Sequence, residues 1–518
     1  MDAETVHRRR WYILGVLIVS LLVVVLDNTI LNVALKTIQL DLGSTQSQLE
    51  WAINSYTLVF AGLLFTWGVT GDRVGRRAVL IIGLVLFGLA SVLSAFAQTP
   101  EQLVAFRALM GIGGAAVLPS TLSIITNVFE PAERGRAIGV WAGAAGLAVA
   151  IGPITGGLLL ERFWWGSVFL INVPIVILGV AAILLLVPES RDPNPGRVDP
   201  VGVVLSIAGL VVLVYGIIRG GELSDWWNAE VLGSIAGGLV MLAAFVWIER
   251  HSDHPSLDVT LFRNPRFSAA SAAITLAFFA LFGSMFFLTF YLQLVRGYSP
   301  LEAGVRVLPV ALSLAIFAPL SSRMVERFGA RAVVTTGLLI VTGVFLGYRI
   351  LEVDTPLWQL EVLLFLQGVG MANIMAPATE SIMSALPRQK AGAGSAVNNT
   401  VRQVGGALGV AILGSILSAS YRSNIEPLLA GLPVPPAAKE AMGESLGDTV
   451  AIAERFGAAG QAIIGPAREA FVDAMHVTVI GSALVAFIGA LVVFFFLPAK
   501  DDAPLAPPEQ RAKAAVAA

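Results

Sequence analysis

The sequence predicts an all-α membrane protein with fourteen transmembrane helices, built as two six-helix halves with two helices inserted between them. Three observations carry this reading: little charge with much apolar content, apolar runs of membrane-spanning length, and a pair of motifs repeated at one spacing. Of the 518 residues 56% are hydrophobic and 13% charged, and the mean hydropathy is +0.80. Soluble domains carry about 25% charge, so the composition argues against a water-soluble enzyme of this length. The net charge of −2 gives no electrostatic footprint for a nucleic acid. The absence of cysteine removes disulfides, thiolate chemistry and Cys-ligated metal. His7, His251, His254 and His476 fall in the N-terminal tail, a hydrophilic loop and a helix edge, so no metal site is expected.

A membrane helix needs about 20 mostly apolar residues, because the hydrocarbon core is about 30 Å thick. That rule gives spans near 11–32, 49–70, 78–97, 103–125, 136–159, 166–187 and 200–218. Further spans fall near 230–248, 268–292, 302–322, 332–351, 358–384, 396–418 and 476–497. Arg8, Arg9 and Arg10 precede the first run, which continues into Asp27-Asn28-Thr29 without a small-residue cleavage site, so it reads as a retained helix. With the N-terminus in the cytoplasm, about two thirds of the 33 lysines and arginines fall in cytoplasmic segments, which places both termini inside. The resulting organisation is a cytoplasmic tail (1–10), a first six-helix half (11–190), two inserted helices (199–250), a cytoplasmic loop (251–267) and a second half (268–498). A hydrophilic segment at 419–475 is expected outside, as a partly helical cap, and 499–518 as a short cytoplasmic tail.

The halves are visible as a repeat. Asp72-Arg73-Val74-Gly75-Arg76-Arg77 follows the second span, and Glu326-Arg327-Phe328-Gly329-Ala330-Arg331 follows the tenth, 254 positions later (72 to 326). Leu109-Met110-Gly111-Ile112-Gly113 is answered by Leu366-Gln367-Gly368-Val369-Gly370 at 257 positions (109 to 366). Such repeats build secondary transporters around a site near the midplane.

These residues resemble the major facilitator superfamily, and within it the fourteen-helix drug:proton antiporter branch, over nearly the whole chain. Gly68 to Arg77 is similar to that family's loop 2–3 motif, and Leu103, Arg107, Met110, Gly111 and Gly113 to its span 4 motif. Gly152-Pro153-Ile154-Thr155-Gly156-Gly157, with Gly139 upstream, resembles the span 5 motif of antiporters. Leu26 to Leu35, including Asp27, resembles the span 1 motif of the fourteen-helix branch. Ala148 and Lys36 depart from the pattern, where Gly and Pro are usual. The resemblance implies the major facilitator fold and export of hydrophobic or amphipathic, often cationic, compounds in exchange for protons, as in multidrug resistance.

Charges inside spans are costly, about 2.5–3.5 kcal/mol each at a helix centre, and therefore point to function. Asp27 and Arg107 fall at similar depth. Burial favours the neutral acid and a guanidinium neighbour the carboxylate, so alternate opening of the pathway would load and release a proton; a static polar contact is the other reading. Glu380 reads as a second acidic site or a lip residue, and Arg402 as a substrate or gate contact or as packing. Glu50, Glu302 and Glu361 read as interfacial. In the loop 2–3 motif, Gly75 permits a tight turn, while Asp72, Arg73 and Arg76 read either as a latch between conformations or as topology-fixing charge. Gly152, Pro153, Gly156 and Gly157 favour close helix approach and a kink. The phenylalanines of span 9 suit planar or cationic ligands, or packing.

No cofactor is expected, and no phosphate-cradling motif is present, so ATP is not the driver. A proton gradient suffices: a unit charge crossing 100 mV gains about 2.3 kcal/mol. The expected partners are small lipophilic substrates, protons and membrane lipid, with the protein working as a monomer. Export of a lipid, siderophore or endogenous metabolite is the alternative, and an uptake symporter a further one. A membrane enzyme would need a cluster of catalytic side chains at one depth, which the sequence lacks.

Overall fold

The computed structural model describes residues 3–191, 199–252, 259–385, 391–432, 434–455 and 457–498. Among them the regular structure is helical, as hydrocarbon demands, because a helix satisfies its own backbone groups. The first group is α1 (Ala3–Leu42), α2 (Gln46–Val74), α3 (Arg76–Ala95), α4 (Pro100–Val128), α5 (Pro131–Arg162), α6 (Ser167–Leu170) and α7 (Asn172–Leu186). Then come α8 (Pro200–Leu223) and α9 (Ala229–His251). The second group is α10 (Pro265–Phe290), α11 (Pro300–Arg306), α12 (Leu308–Phe328), α13 (Ala330–Gly347), α14 (Leu357–Ser384), α15 (Ala391–Ala430), α16 (Pro436–Glu444), α17 (Leu446–Arg455) and α18 (Gly457–Phe496). Thirteen spans among the described residues are long and apolar enough to cross a membrane, and α5 runs where the fifth span is expected. The chain is a multi-pass membrane protein. Its outer surface shows why: Leu178, Leu185 and Val240 are 69%, 72% and 67% exposed, side chains that only lipid solvates without cost.

Local chemistry sets the helix ends. Thr45 with Gln48 and Ser299 with Glu302 form capping boxes, and Asp199 accepts from the Gly202 amide. The two repeat loops turn alike: Gly75 and Gly329 have φ of 132° and 82°, where a side chain is strained. The repeat continues into packing. Cβ atoms on Gly83 and Gly113 would lie 2.8 and 2.6 Å from each other's backbone carbonyl oxygens, and those on Gly337 and Gly370 2.8 and 2.9 Å. The α3–α4 and α13–α14 pairs are thus the same close contact made twice.

In the first half α2 and α3 pack on α4, and α1 on α5. In the second, α10 packs on α15, and α12 and α13 on α14. The inserted α9 rests mainly on α8 through small residues, Gly216 against Ile235 and Gly238 against Leu213. α8 itself lies in the seam between α2 and α15, where Leu58, Leu210, Val214, Ile217, Ala407 and Ala411 form a separate apolar cluster.

α1, α15 and α18 are each 40 residues long. That is about 60 Å, twice the hydrocarbon thickness, so they project beyond it. Much of segment 419–475 is accordingly helical: α15 continues through Pro427, α16 and α17 follow, and α18 begins at Gly457. Tyr421 Oη lies 2.7 Å from Thr449 Oγ1, and Gln39 of α1 donates to Ser445 Oγ at 2.7 Å. Ser445 in turn donates to Asp448 at 2.5 Å.

Burial, with Glu444 nearby, pushes the Asp448 carboxyl up to about 6, against the bond from Ser445. The folded cap therefore binds more protons than the unfolded chain between about pH 4 and 6, and its stability falls as pH rises through that window. Hydrogen exchange of residues 446–455, corrected for intrinsic rate, is expected to be slower at pH 4.5 than at pH 7.5. Asp448→Asn is expected to remove the difference.

Candidate functional site

Asp27 lies midway along α1 and is 2% exposed, while Arg107, two turns into α4, is fully buried. Arg107 Nη1 donates to Asp27 Oδ2. The other carboxylate oxygen accepts from Asn172 Nδ2 at 3.0 Å, and that same amide reaches Ser91 Oγ at 3.1 Å. Ser91 donates onward to the Phe169 carbonyl at 2.9 Å. Arg107 Nε donates to the Ala52 carbonyl at 3.2 Å, and its guanidinium lies 4.4 Å from the Tyr56 ring centroid. Six helices of the first half, α1, α2, α3, α4, α6 and α7, thus converge on one ion pair. Asn172 sits where α6 gives way to α7, two residues before Pro174, so the chain turns there and presents the amide inward.

A buried ion pair persists only when its remaining hydrogen-bonding capacity is met, and here it is met unevenly. Arg107 Nη2 and Asn172 Oδ1 have no hydrogen-bond partner among the described residues. The pair is held on one side by fixed partners and offers free polar atoms on the other, a geometry suited to exchanging a proton. The second half holds a neutral counterpart. Ser284, 257 positions after Asp27, accepts from Gln367 Nε2 at 2.8 Å, and Gln367 accepts from Tyr348 at 2.6 Å.

The other singled-out residues are placed apart. Glu380 is exposed near the end of α14, and Arg402 is partly exposed with its guanidinium 4.6 Å from the Phe278 ring centroid. Neither bonds to Asp27 or Arg107 among the described residues. Most of the α10 aromatics, including Phe279, Phe286, Phe287 and Phe290, are buried in packing. In the loop after α2, Asp72 accepts from Arg76 Nε at 2.9 Å, Arg76 N donates to the Ser190 carbonyl at 3.0 Å, and Arg73 is exposed. All these partners belong to the first half: Asp72 holds the Arg76 side chain within its own turn, and the Arg76 amide ties that turn to Ser190, just past the end of α7.

The span 5 glycines are contact points. A Cβ on Gly152 would fall 1.9 Å from Thr29 Oγ1, and one on Gly156 3.0 Å from Ile30, both on α1. A Cβ on Gly157 would fall 2.4 Å from Leu301 Cα of α11, and one on Gly304 2.4 Å from the Pro153 carbonyl. The halves meet there, on the face where α1 ends, called here the far face. Lys36 donates to the Gln293 carbonyl and Gln293 to the Val33 carbonyl, each at 2.9 Å, and Ser299 to Glu161 at 2.8 Å. Lys36, the departure from the span 1 pattern, is thus part of this closure, and α1 continues past it.

Sequence reasoning paired Asp27 with Arg107 but missed Asn172, Ser91 and Tyr56. The available signal was Asn172 alone, an amide inside an apolar span. The interfacial reading of Glu50 is corrected: it is 1% exposed, covered by α15 and α8. Glu302 caps α11, and Glu361 pairs with Arg306 at 3.0 Å.

The Major Facilitator Superfamily model matches residues 17–410. The chain is 37% identical over 487 residues to the multidrug efflux pump LfrA of Mycolicibacterium smegmatis, covering 94% of this chain and 96% of that one. It is 34% identical over 493 residues to the methyl viologen resistance protein SmvA of Salmonella typhimurium, covering 94% and 98%. Among solved structures, a bacterial homologue of the human lysosomal transporter Spinster, inward-facing and unoccupied, superposes with a TM-score of 0.66 at 19% identity, covering 94% and 98%. The partially occluded, inward-open xylose transporter XylE of E. coli gives 0.60 at 14% identity, covering 96% and 99%. Fold, repeat and matched length agree, and the chain belongs to the Major Facilitator Superfamily.

Proposed function

We propose that this protein exports hydrophobic or amphipathic, often cationic, compounds across the bacterial inner membrane in exchange for protons, as a monomer with both termini in the cytoplasm. The observation that carries the reading is the buried Asp27–Arg107 pair, with free polar atoms beside it, in a molecule whose halves close over one face. The distribution of lysine and arginine supports making the far face external. On that orientation the face closed in this state is the external one, and an exporter loads from the opposite, cytoplasmic side. The relatives support the cargo class, being named for multidrug efflux and for methyl viologen resistance.

In the cycle, Asp27 holds a proton taken from outside, and cargo entering from the cytoplasm displaces it. Arg107 is the switch partner, since it stabilises the carboxylate once the proton leaves. Asn172 and Ser91 hold the carboxylate in register as the half moves as a body. Cells expressing the protein are expected to extrude ethidium only while the proton gradient stands, and a protonophore is expected to stop extrusion. Extrusion that persists after collapse of the gradient would refute proton coupling.

A further inference from the structure

The seam between α2 and α15 contains a carboxyl group that the Asp27 pathway does not use. Glu50, in the second turn of α2, is 1% exposed, and its Oε2 has no hydrogen-bond partner. None of the ion pairs among the described residues includes it. α15 makes room for it with Gly414, where a Cβ would fall 2.4 Å from Glu50 Oε1.

The charged groups around it do not compensate it. From α8, Glu222 contributes a like charge, and it is already engaged by Ser47 at 2.8 Å and Arg219 at 2.7 Å. Arg219 divides between Glu222 and Glu230, the latter at 3.6 Å. Glu444 of α16 adds another acid facing Glu222, with Arg422 of α15 beside Glu444. From α4, Glu101 is occupied by Gln48 at 2.6 Å. α15 presents Gly414 and Ser415, and Ser415 donates to the Ile217 carbonyl at 3.1 Å.

An unpaired carboxylate is far more expensive to bury than the neutral acid. The cost falls on the closed seam alone, because parting α2 from α15 on the far face returns Glu50 to water. We propose that Glu50 is a proton-binding site of the far face, taking one proton from the medium there as the seam closes and returning it to the same side as the seam opens. The proton balance over a cycle is zero at this residue, so Glu50 moves no net charge and sets how pH biases the opening. The inserted α8 is part of the device, since its Glu222 penalises the ionised form.

The inference requires only that the far seam opens and closes, and it is independent of the cargo. The chain has no cysteine, so spin labels can be placed at Gln98→Cys and Asp354→Cys, exposed positions in far-face loops of the two halves. Pulsed electron paramagnetic resonance in nanodiscs is expected to show the longer distance gaining population between pH 5.5 and pH 8.5. Glu50→Gln is expected to keep the short distance at both pH values. Glu50→Asp, which still titrates, is expected to keep the shift. A Glu50→Gln protein that opens with pH as the parent does, or a parent with no shift, overturns the proposal. Failure of ethidium export would count against the exporter reading and would leave these distances unchanged.

Discussion

Replacing Arg107 with alanine is expected to cost about 3–5 kcal/mol, because it leaves the Asp27 carboxylate buried without its counter-charge. The loss includes the bond to the Ala52 carbonyl and the contact with the Tyr56 ring. The measurable result is a lower yield of monodisperse protein and a lower melting temperature. Asp27→Leu with Arg107→Met removes both charges at similar volume and is expected to regain most of that stability, since an apolar pair often replaces a buried ion pair at little cost. The double variant should fold and yet export nothing against a gradient. An Arg107→Ala protein as stable as the parent would show that the pair does not hold the half together.

Gly157→Leu is expected to act on conformation rather than on folding. The atoms its side chain would strike are the Leu301 backbone, at 2.4 and 2.7 Å, and the Pro300 carbonyl at 2.8 Å. Backbone in a packed interface yields little, but the halves themselves can part. The far face should therefore stand open, with export falling to background. Ala303, 3% exposed in the closed state, reports this: as Ala303→Cys it should react several-fold faster with an impermeant maleimide when Gly157→Leu is present. Gly152→Ala is the contrast, because its clash with Thr29 lies within one half and should lower stability instead. Unchanged labelling in the Gly157→Leu background would show that this contact does not keep the face shut.

What could be read in the sequence follows from range of interaction. The spans were legible because lipid imposes length and composition on each segment separately. The repeat was legible because Gly75 and Gly329 meet the same turn requirement, and Gly113 and Gly370 the same close approach. Asp27 and Arg107 stood out as charges where charge is costly. Asn172 and Ser91 did not, since an amide and a hydroxyl in a span carry little penalty until a partner is known. Glu50 was misread for a different reason: it stands near a span end, and its burial depends on Gly414, 364 positions away (50 to 414), and on α8 beside it. The partly helical cap expected at 419–475 is held by α16 on α15 and by α17 on α18 and α1, with the Gln39 to Ser445 bond between distant segments that no local pattern announces.

The central claim is that proton movement through Asp27 is coupled to movement of cargo. Its most direct test uses purified protein in liposomes, with an ethidium gradient as the only driving force and a pH-sensitive dye in the lumen. The account predicts that ethidium leaving the liposomes drives protons inward in the parent protein, and that Asp27→Asn, folded and at equal density, drives none. Proton influx in Asp27→Asn equal to that of the parent would contradict the account.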